Sequence, residues 1–317
     1  SMAGVQEDWA FRLALIRHGE TNQNRNKIIQ GQNNTVLNET GQEQVELVGN
    51  RFKYEHLTRI YSSDLERAYK TAEGICLKNV NLQDLKICID TSLRERNYGE
   101  AEGKPRQELK KILSVGKLPL GAEAESQVQK RVVDFFNKLL RDVYQLRKSH
   151  QSKLKTHDLS LQEQVSQTDT PSMVDLIGDL RKSSQSDPSS NQSKAGPDDD
   201  TFHSTDEKHQ ATSLPVIYTD KKVQLPVLLK DLCHNLDDSD LIDRPIHVAV
   251  VSHGGVLRHL VSYFAKNFQS QFPVDKRKLL RQICPNTGVS DFMVHLEGRK
   301  VTNINCLQLY DKSHLFT

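Results

Sequence analysis

Apolar residues fall along this chain in two alternating spacings. Short runs at Leu13–Ile16, LTRIYSS (57–63), LKICID (85–90) and IHVAVVS (246–252) predict inner β-strands. A strand covered on both faces needs apolar side chains on both, hence the unbroken runs. Between them, apolar positions recur three and four apart. TGQEQVELVGNRF carries Val45, Val48 and Phe52 behind Thr40 as the expected cap, and DLERAYKTAEGICL carries Leu65, Ala68, Ala72 and Ile75 behind Asp64. Residues 105–113, 125–147 and 254–268 read as further helices, the second with Val128, Val132, Phe135, Leu139 and Val143 on one side. GVSDFMVHL and VTNINCLQL predict a closing hairpin pair. Alternating strands and helices imply a three-layer α/β/α fold with a mainly parallel central sheet.

Residues 149–215 break this rhythm. They are rich in Ser, Gln, Asp and Lys and poor in large apolar side chains, so they cannot bury enough surface to offset their ordering entropy. A flexible polar insertion is expected there, with one short helix at SMVDLIGDLRK (172–182). Removing it from 317 residues leaves roughly 250, a length suited to one α/β domain spanning 1–317 and not to two.

Composition agrees with such an insertion: 36% hydrophobic, 26% charged, and a mean hydropathy of −0.61. A net charge of +2 without a long Lys/Arg block predicts neither a nucleic-acid partner nor a membrane surface. No stretch reaches the ~18 apolar residues of a membrane span, and SMAGVQEDWAFR does not read as a secretory signal. Cys76, Cys88, Cys233, Cys284 and Cys306 are odd in number, widely spaced and without a C-x-x-C pair. Reduced thiols in a cytoplasmic protein are the expected state.

The chemistry gathers at strand ends. Arg17-His18-Gly19-Glu20 follows the first apolar run, and Ser252-His253-Gly254-Gly255 follows the fourth and opens a helix. If those strands pair, both histidines sit side by side where open α/β sheets bind ligands. The glycines allow close backbone approach to an anion at a helix N-terminus. Arg17 offers a planar fork for phosphate oxygens, and Arg67, in the first turn after Ser62-Ser63, would project to the same edge. Two arginines and two histidines point to a phosphoryl group, with one neutral imidazole as nucleophile and the other stabilising charge. A leaving alkoxide needs an acid. Glu95 is the best candidate in TSLRERNYGEAEG, with Glu100, Glu102 and Glu20 left open.

RHGE, SSDLERA, LRERNYGEAEG and SHGG, in this order, resemble the histidine phosphatase superfamily, also called the phosphoglycerate mutase-like fold. The resemblance covers nearly all the chain outside 149–215. Within the superfamily, RHGETNQNRNKIIQGQ and CPNTGVS look most like the fructose-2,6-bisphosphatases. The resemblance implies His18 as the phosphorylated nucleophile, Glu95 as proton donor and acceptor, His253 as transition-state stabiliser, and Arg17 with Arg67 as phosphate clamps. Asn24 and Tyr98 match positions that line the substrate pocket, and Gly254 joins them as a phosphate-binding residue from its place at the helix N-terminus. It further implies no cofactor or metal, a small phosphorylated metabolite as partner, fructose 2,6-bisphosphate first among substrates, and a lowering of glycolytic flux.

A second phosphate would need more cations, for which Lys104 and Arg94 are candidates. Gly121-Ala122-Glu123-Ala124 stands where the family has Gly-Gly-Glu-Ser/Thr, a departure that touches the local turn and not the phosphate site. Rival readings are a mutase or phosphatase acting on phosphoglycerates and a non-catalytic regulator that binds a phosphorylated ligand. A mutase is disfavoured because residues 104–124 are short, with only scattered Lys and Arg. A metal hydrolase lacks H-E-x-x-H or any close ligand spacing.

Overall fold

The computed structural model of the chain describes residues 7–81, 86–167, 245–272 and 274–316. Its strands are β1 (Asp8–Arg17), β2 (Arg59–Ser62), β3 (Cys88–Ile89), β4 (His247–Ser252), β5 (Gln269–Gln271), β6 (Val289–Glu297) and β7 (Lys300–Asp311). Its α-helices are α1 (Asn22–Arg25), α2 (Glu39–Arg51), α3 (Glu66–Lys78), α4 (Arg106–Ser114), α5 (Glu125–Gln167) and α6 (Gly254–Asn267). The strands form one seven-stranded sheet in the order β3-β2-β4-β1-β6-β7-β5. β3, β2, β4 and β1 pair in parallel, β6 runs against both β1 and β7, and β5 is parallel to β7. Only β6 is therefore reversed, and the sheet is mainly parallel.

The period-2 alternation of β1 divides the core. Phe11, Leu13 and Leu15 face Val132, Phe136 and Leu139 of α5 and Leu257, Leu260 and Phe264 of α6 in one apolar cluster. Ala14 and Ile16 face the other way, into a cluster with Val48 of α2 and Ala68, Ala72 and Ile75 of α3. Each such fully buried large side chain contributes roughly 1.5–3 kcal/mol. Helices thus cover both faces of the sheet, and only residues at the strand ends remain to meet a ligand.

Several boundaries differ from expectation for local physical reasons. β1 starts five residues before Leu13 because Asp8–Arg12 pair with Met293–Glu297 of β6. Thr40 does not cap α2; the Asn38 side chain does, accepting the Gly41 N–H at 2.8 Å. Asp64 does not cap α3, since it pairs with the Arg94 guanidinium at 2.8 Å (Nε) and 2.5 Å (Nη2), and the helix begins after Leu65 without a side-chain cap. β3 is only two residues long. α1 and β5 are too short to have been marked by periodicity.

Contacts divide the chain into two compact units, Ser1–Leu154 with Ser239–Thr317, and Lys155–Asp238. α5 continues to Gln167, well past residue 147, so the first part of the expected polar insertion is helical. Residues 168–215, including the expected helix at 172–182, lie outside the described residues, as does Cys233. Among the described residues no helix is long and apolar enough to cross a membrane.

His247, at the start of β4, is 4% exposed, and its Nδ1 lies 3.6 Å from Glu55. Burial first, then the neighbouring Arg12 cation, lowers its pKa from 6.5 to about 4, with Asp291 opposing. As pH falls through 6.5 toward 4, the unfolded chain takes up a proton that the folded chain refuses, so stability is lost on the acid side. The urea midpoint is expected to fall across that window, His247 accounting for up to about 3 kcal/mol. In His247→Leu the fall should be shallower.

Candidate active site

The β1–β4 pairing sets Arg17 opposite Ser252, and the His18 N–H donates to the Ser252 carbonyl at 3.0 Å. The next residues, His18 and His253, therefore leave the sheet together, with ring centroids 5.1 Å apart. Both are buried, His18 at 2% exposed and His253 at 0%. The loop after Cys284 closes over the His18 backbone. Asn286 Nδ2 and the Thr287 N–H donate to the His18 carbonyl at 2.9 and 3.3 Å.

The His18 ring is 2.7 Å from the Gly19 carbonyl through Nδ1. A carbonyl only accepts, so Nδ1 carries the proton and Nε2 keeps its lone pair. Burial, then Arg67 and Arg17, push the His18 pKa well below the ordinary histidine value, so the ring is neutral at pH 7. His253 is lowered in the same way, by burial first and then Arg67. Its Nε2 is 2.9 Å from Ser63 Oγ, while its Nδ1 has no partner among the described residues.

Both arginines are fastened by backbone. Arg17 donates to the Cys284 carbonyl at 2.7 Å, and Arg67 to the Asn33 and Gly31 carbonyls, each at 2.8 Å. Burial lowers the Arg67 pKa to about 10, which leaves it charged at pH 7. Nε of each arginine is buried without a partner among the described residues. Buried donors are normally satisfied, so two unmatched guanidinium nitrogens beside His18 call for an anion.

A cavity of about 310 Å³ opens here, lined by Arg17, His18, Asn24, Arg67, Glu95, Tyr98 and Gly254, among others. Of the residues expected to act on the transferred phosphoryl group, only His253 does not line it. The four carboxylates left open by sequence separate clearly. Glu95 alone lines the cavity, its Oε2 accepting the Gly255 N–H at 3.0 Å and its Oε1 the Arg96 N–H at 2.8 Å. Glu20 pairs with Arg25, Glu102 accepts the Gln32 and Tyr98 N–H groups, and Glu100 is exposed. Burial, reinforced by Glu95, pushes the Tyr98 hydroxyl up to about 12, so it stays a donor.

Three lining cations were not expected: Arg106 and Lys110 of α4 and Arg258 of α6. Helical spacing was the available signal, since residues four apart share a face, and Arg258 is four beyond Gly254. Neither Arg94 nor Lys104 lines the cavity; Arg94 is held by Asp64, and Lys104 is exposed. The departure at 121–124 is accommodated locally. Gly121 takes φ +76°, a left-handed conformation that favours glycine, and Ala122 forms an isolated bridge with Tyr98. Ala124 has no hydroxyl to cap α5, yet Gln127 Oε1 accepts its N–H at 2.7 Å, the surviving half of a capping box.

A mainly parallel sheet with two adjacent histidines and two buried arginines at its strand ends is a site for a phosphoryl group, and the similarities that follow make the chain a phosphatase, a phosphoric monoester hydrolase. Residues 13–152 match the histidine phosphatase superfamily (branch 1). Fructose-2,6-bisphosphatase TIGAR of Bos taurus is 30% identical, over 94% of this chain and 95% of its own. Its counterpart in Xenopus tropicalis is 29% identical over 96% and 94%. The native structure of a mycobacterial glucosyl-3-phosphoglycerate phosphatase shares the fold, with a TM-score of 0.53 at 18% identity over 96% of this chain and 100% of that one. The chain belongs to the histidine phosphatase superfamily.

A Cβ on Gly255 would collide with the Glu95 carboxylate, whereas one on Gly254 would press on the branched methyl of Ile283, a side chain with no part in the chemistry. Gly255→Ala is accordingly expected to lower phosphatase kcat by roughly 10–100-fold, since displacements of about 1 Å cost that much. Gly254→Ala should lose less, as steady-state assays of both variants will measure.

Proposed function

We propose that the chain hydrolyses small phosphate monoesters through a phosphohistidine on His18, with fructose 2,6-bisphosphate as the preferred substrate and fructose 6-phosphate and inorganic phosphate as products. One observation carries the mechanism: a buried, neutral imidazole whose Nδ1–H is tied to the Gly19 carbonyl at 2.7 Å, leaving Nε2 free among fixed cations.

In the first step the Nε2 lone pair attacks phosphorus and the P–O bond to the leaving group breaks. The Glu95 carboxyl gives its proton to the departing oxygen. Arg17 and Arg67 hold the phosphoryl oxygens while their charge redistributes. With the Ser63 hydroxyl donating to Nε2 of His253, that ring carries its proton on Nδ1 and donates it to the same group. Asn24, whose Oδ1 accepts from Thr21 and Asn286, contributes its amide donors. In the second step ionised Glu95 takes a proton from water, the hydroxide attacks phosphorus, and the P–N bond breaks with its electron pair returning to Nε2. Phosphate leaves and both groups are reset.

Two features support a bisphosphate. The relatives named above are fructose-2,6-bisphosphatases, and Arg106, Lys110 and Arg258 supply a second set of cations in the same cavity. Cys76, Cys88 and Cys284 are free thiols, in keeping with the reducing cytoplasm as its place of action.

Rapid quenching with labelled substrate is expected to trap an acid-labile, base-stable adduct on His18 that is missing from His18→Ala. Turnover without such an adduct overturns the mechanism. Transfer of the label to 3-phosphoglycerate in preference to water would make the chain a mutase.

Removing a second-phosphate cation has its own signature. Arg258→Ala or Lys110→Ala should raise KM for fructose 2,6-bisphosphate by about 10-fold, the worth of one charged hydrogen bond, and change KM for phenyl phosphate far less. Equal changes for both esters, or a higher kcat/KM for 2,3-bisphosphoglycerate than for fructose 2,6-bisphosphate, count against the sugar bisphosphate.

A further inference from the structure

The loop that presents Glu95 is fastened from outside the cavity by one side chain of α5. Arg131 donates through Nη1 to the Ser92 and Arg94 carbonyls at 2.7 and 2.6 Å, and through Nη2 to the Glu95 carbonyl at 3.1 Å. The same guanidinium grips Glu123 with both ends, Nε to Oε1 at 2.9 Å and Nη2 to Oε2 at 3.0 Å. Glu123 in turn accepts the Asn97 N–H at 2.8 Å, and its own carbonyl accepts Arg96 Nε at 2.9 Å. The Arg131–Glu123 pair therefore holds every residue from 94 to 97 by a backbone or side-chain hydrogen bond. Neither partner lines the cavity.

This arrangement costs more than a surface ion pair would explain. Both side chains are about four-fifths buried, at 18% and 21% exposed. A desolvated pair is stabilising only when its remaining donors and acceptors are matched, and here the matches are loop backbone groups. On the cavity side, among the described residues, the Glu95 carboxylate is held by main-chain N–H groups, those of Gly255 and Arg96. The position of Arg96 is set by Glu123. A shift in the loop would reach the carboxyl directly.

We propose that Arg131, acting through Glu123 and three backbone carbonyls, is a positioning residue that sets the Glu95 carboxyl for proton transfer to the leaving group. The inference rests on the role given to Glu95 under the proposed function. Arg131 touches neither substrate nor phosphorus. Its effect is on where an acid stands, so it must depend on how much the leaving group needs a proton.

That dependence is the test. Enzyme phosphorylation is followed by rapid quench with two esters, an alkyl phosphate whose leaving group requires protonation and 2,4-dinitrophenyl phosphate whose leaving group does not. Arg131→Met and Glu123→Gln are expected to slow phosphorylation by the alkyl ester on the order of 10²-fold, the scale of general-acid catalysis, and by the dinitrophenyl ester less than about 3-fold. Arg131→Lys, which keeps the charge and loses the fork, should fall between. Glu95→Gln is the reference. If it shows this selectivity and the Arg131 and Glu123 variants slow both esters equally, or neither, the inference is overturned while the acid assignment stands. If Glu95→Gln itself slows both esters equally, the acid assignment falls and the inference with it. Should Arg131→Met fail to fold by circular dichroism, Glu123→Gln and Arg131→Lys carry the same comparison.

Discussion

Everything at the site depends on the parallel pairing of β1 with β4 in a register that sets Arg17 opposite Ser252. A slip of one residue would turn Leu13 and Leu15 away from α5 and α6 and set Ala14 and Ile16 in their place, emptying one core and overfilling the other. The register is therefore enforced by packing along the whole strand, far from the chemistry. Once it is set, the two chain exits bring His18 and His253 together without any further device. Both rings are buried where two inner strands end, and their separation is set by the sheet.

That placement has an electrostatic consequence. Burying two arginines and two imidazoles together is unfavourable, and the protein meets the cost by spending backbone carbonyls on the arginines and keeping the imidazoles neutral. Gly31, Asn33 and Cys284 supply those carbonyls. The residual imbalance, positive and short of acceptors, is relieved when a phosphoryl group arrives. The same desolvation that lowers the His18 pKa keeps its lone pair available. In the proposed mechanism, affinity for the anion and reactivity toward it thus come from one cause.

Most of this was legible in the chain because strand-end motifs are short and contiguous. RHGE and SHGG each put a histidine immediately after an apolar run, and the run alone locates the strand. Glu95 was less legible. Four carboxylates were compatible with the spacing, and the choice among them rests on which one a distant helix N-terminus, at Gly255, could accept. The caps at Thr40 and Asp64 failed because neighbouring groups, Asn38 and Arg94, competed for the same roles from outside the helix pattern. Arg131 was illegible: on α5 it sits among the polar positions of an amphipathic pattern, and nothing local distinguishes a solvated arginine from one buried against a loop. Its partners lie 8 to 39 residues away in sequence. The polar composition after residue 149 suggested a break that α5 does not make before Gln167.

The division between strand and loop also bears on substrate choice. Arg17, His18 and Arg67 reach the cavity from the end of β1 and the start of α3, whereas Arg106, Lys110 and Arg258 reach it from α4 and the first turns of α6. α4 has no buried residue, so its sequence is free to change without disturbing either core. Its cations, Arg106 and Lys110, can be exchanged or moved by one helical turn at little cost to folding. Glu95, the proton donor of the proposed mechanism, stands between these two regimes on a loop, and the Arg131–Glu123 pair fastens that loop from outside the cavity.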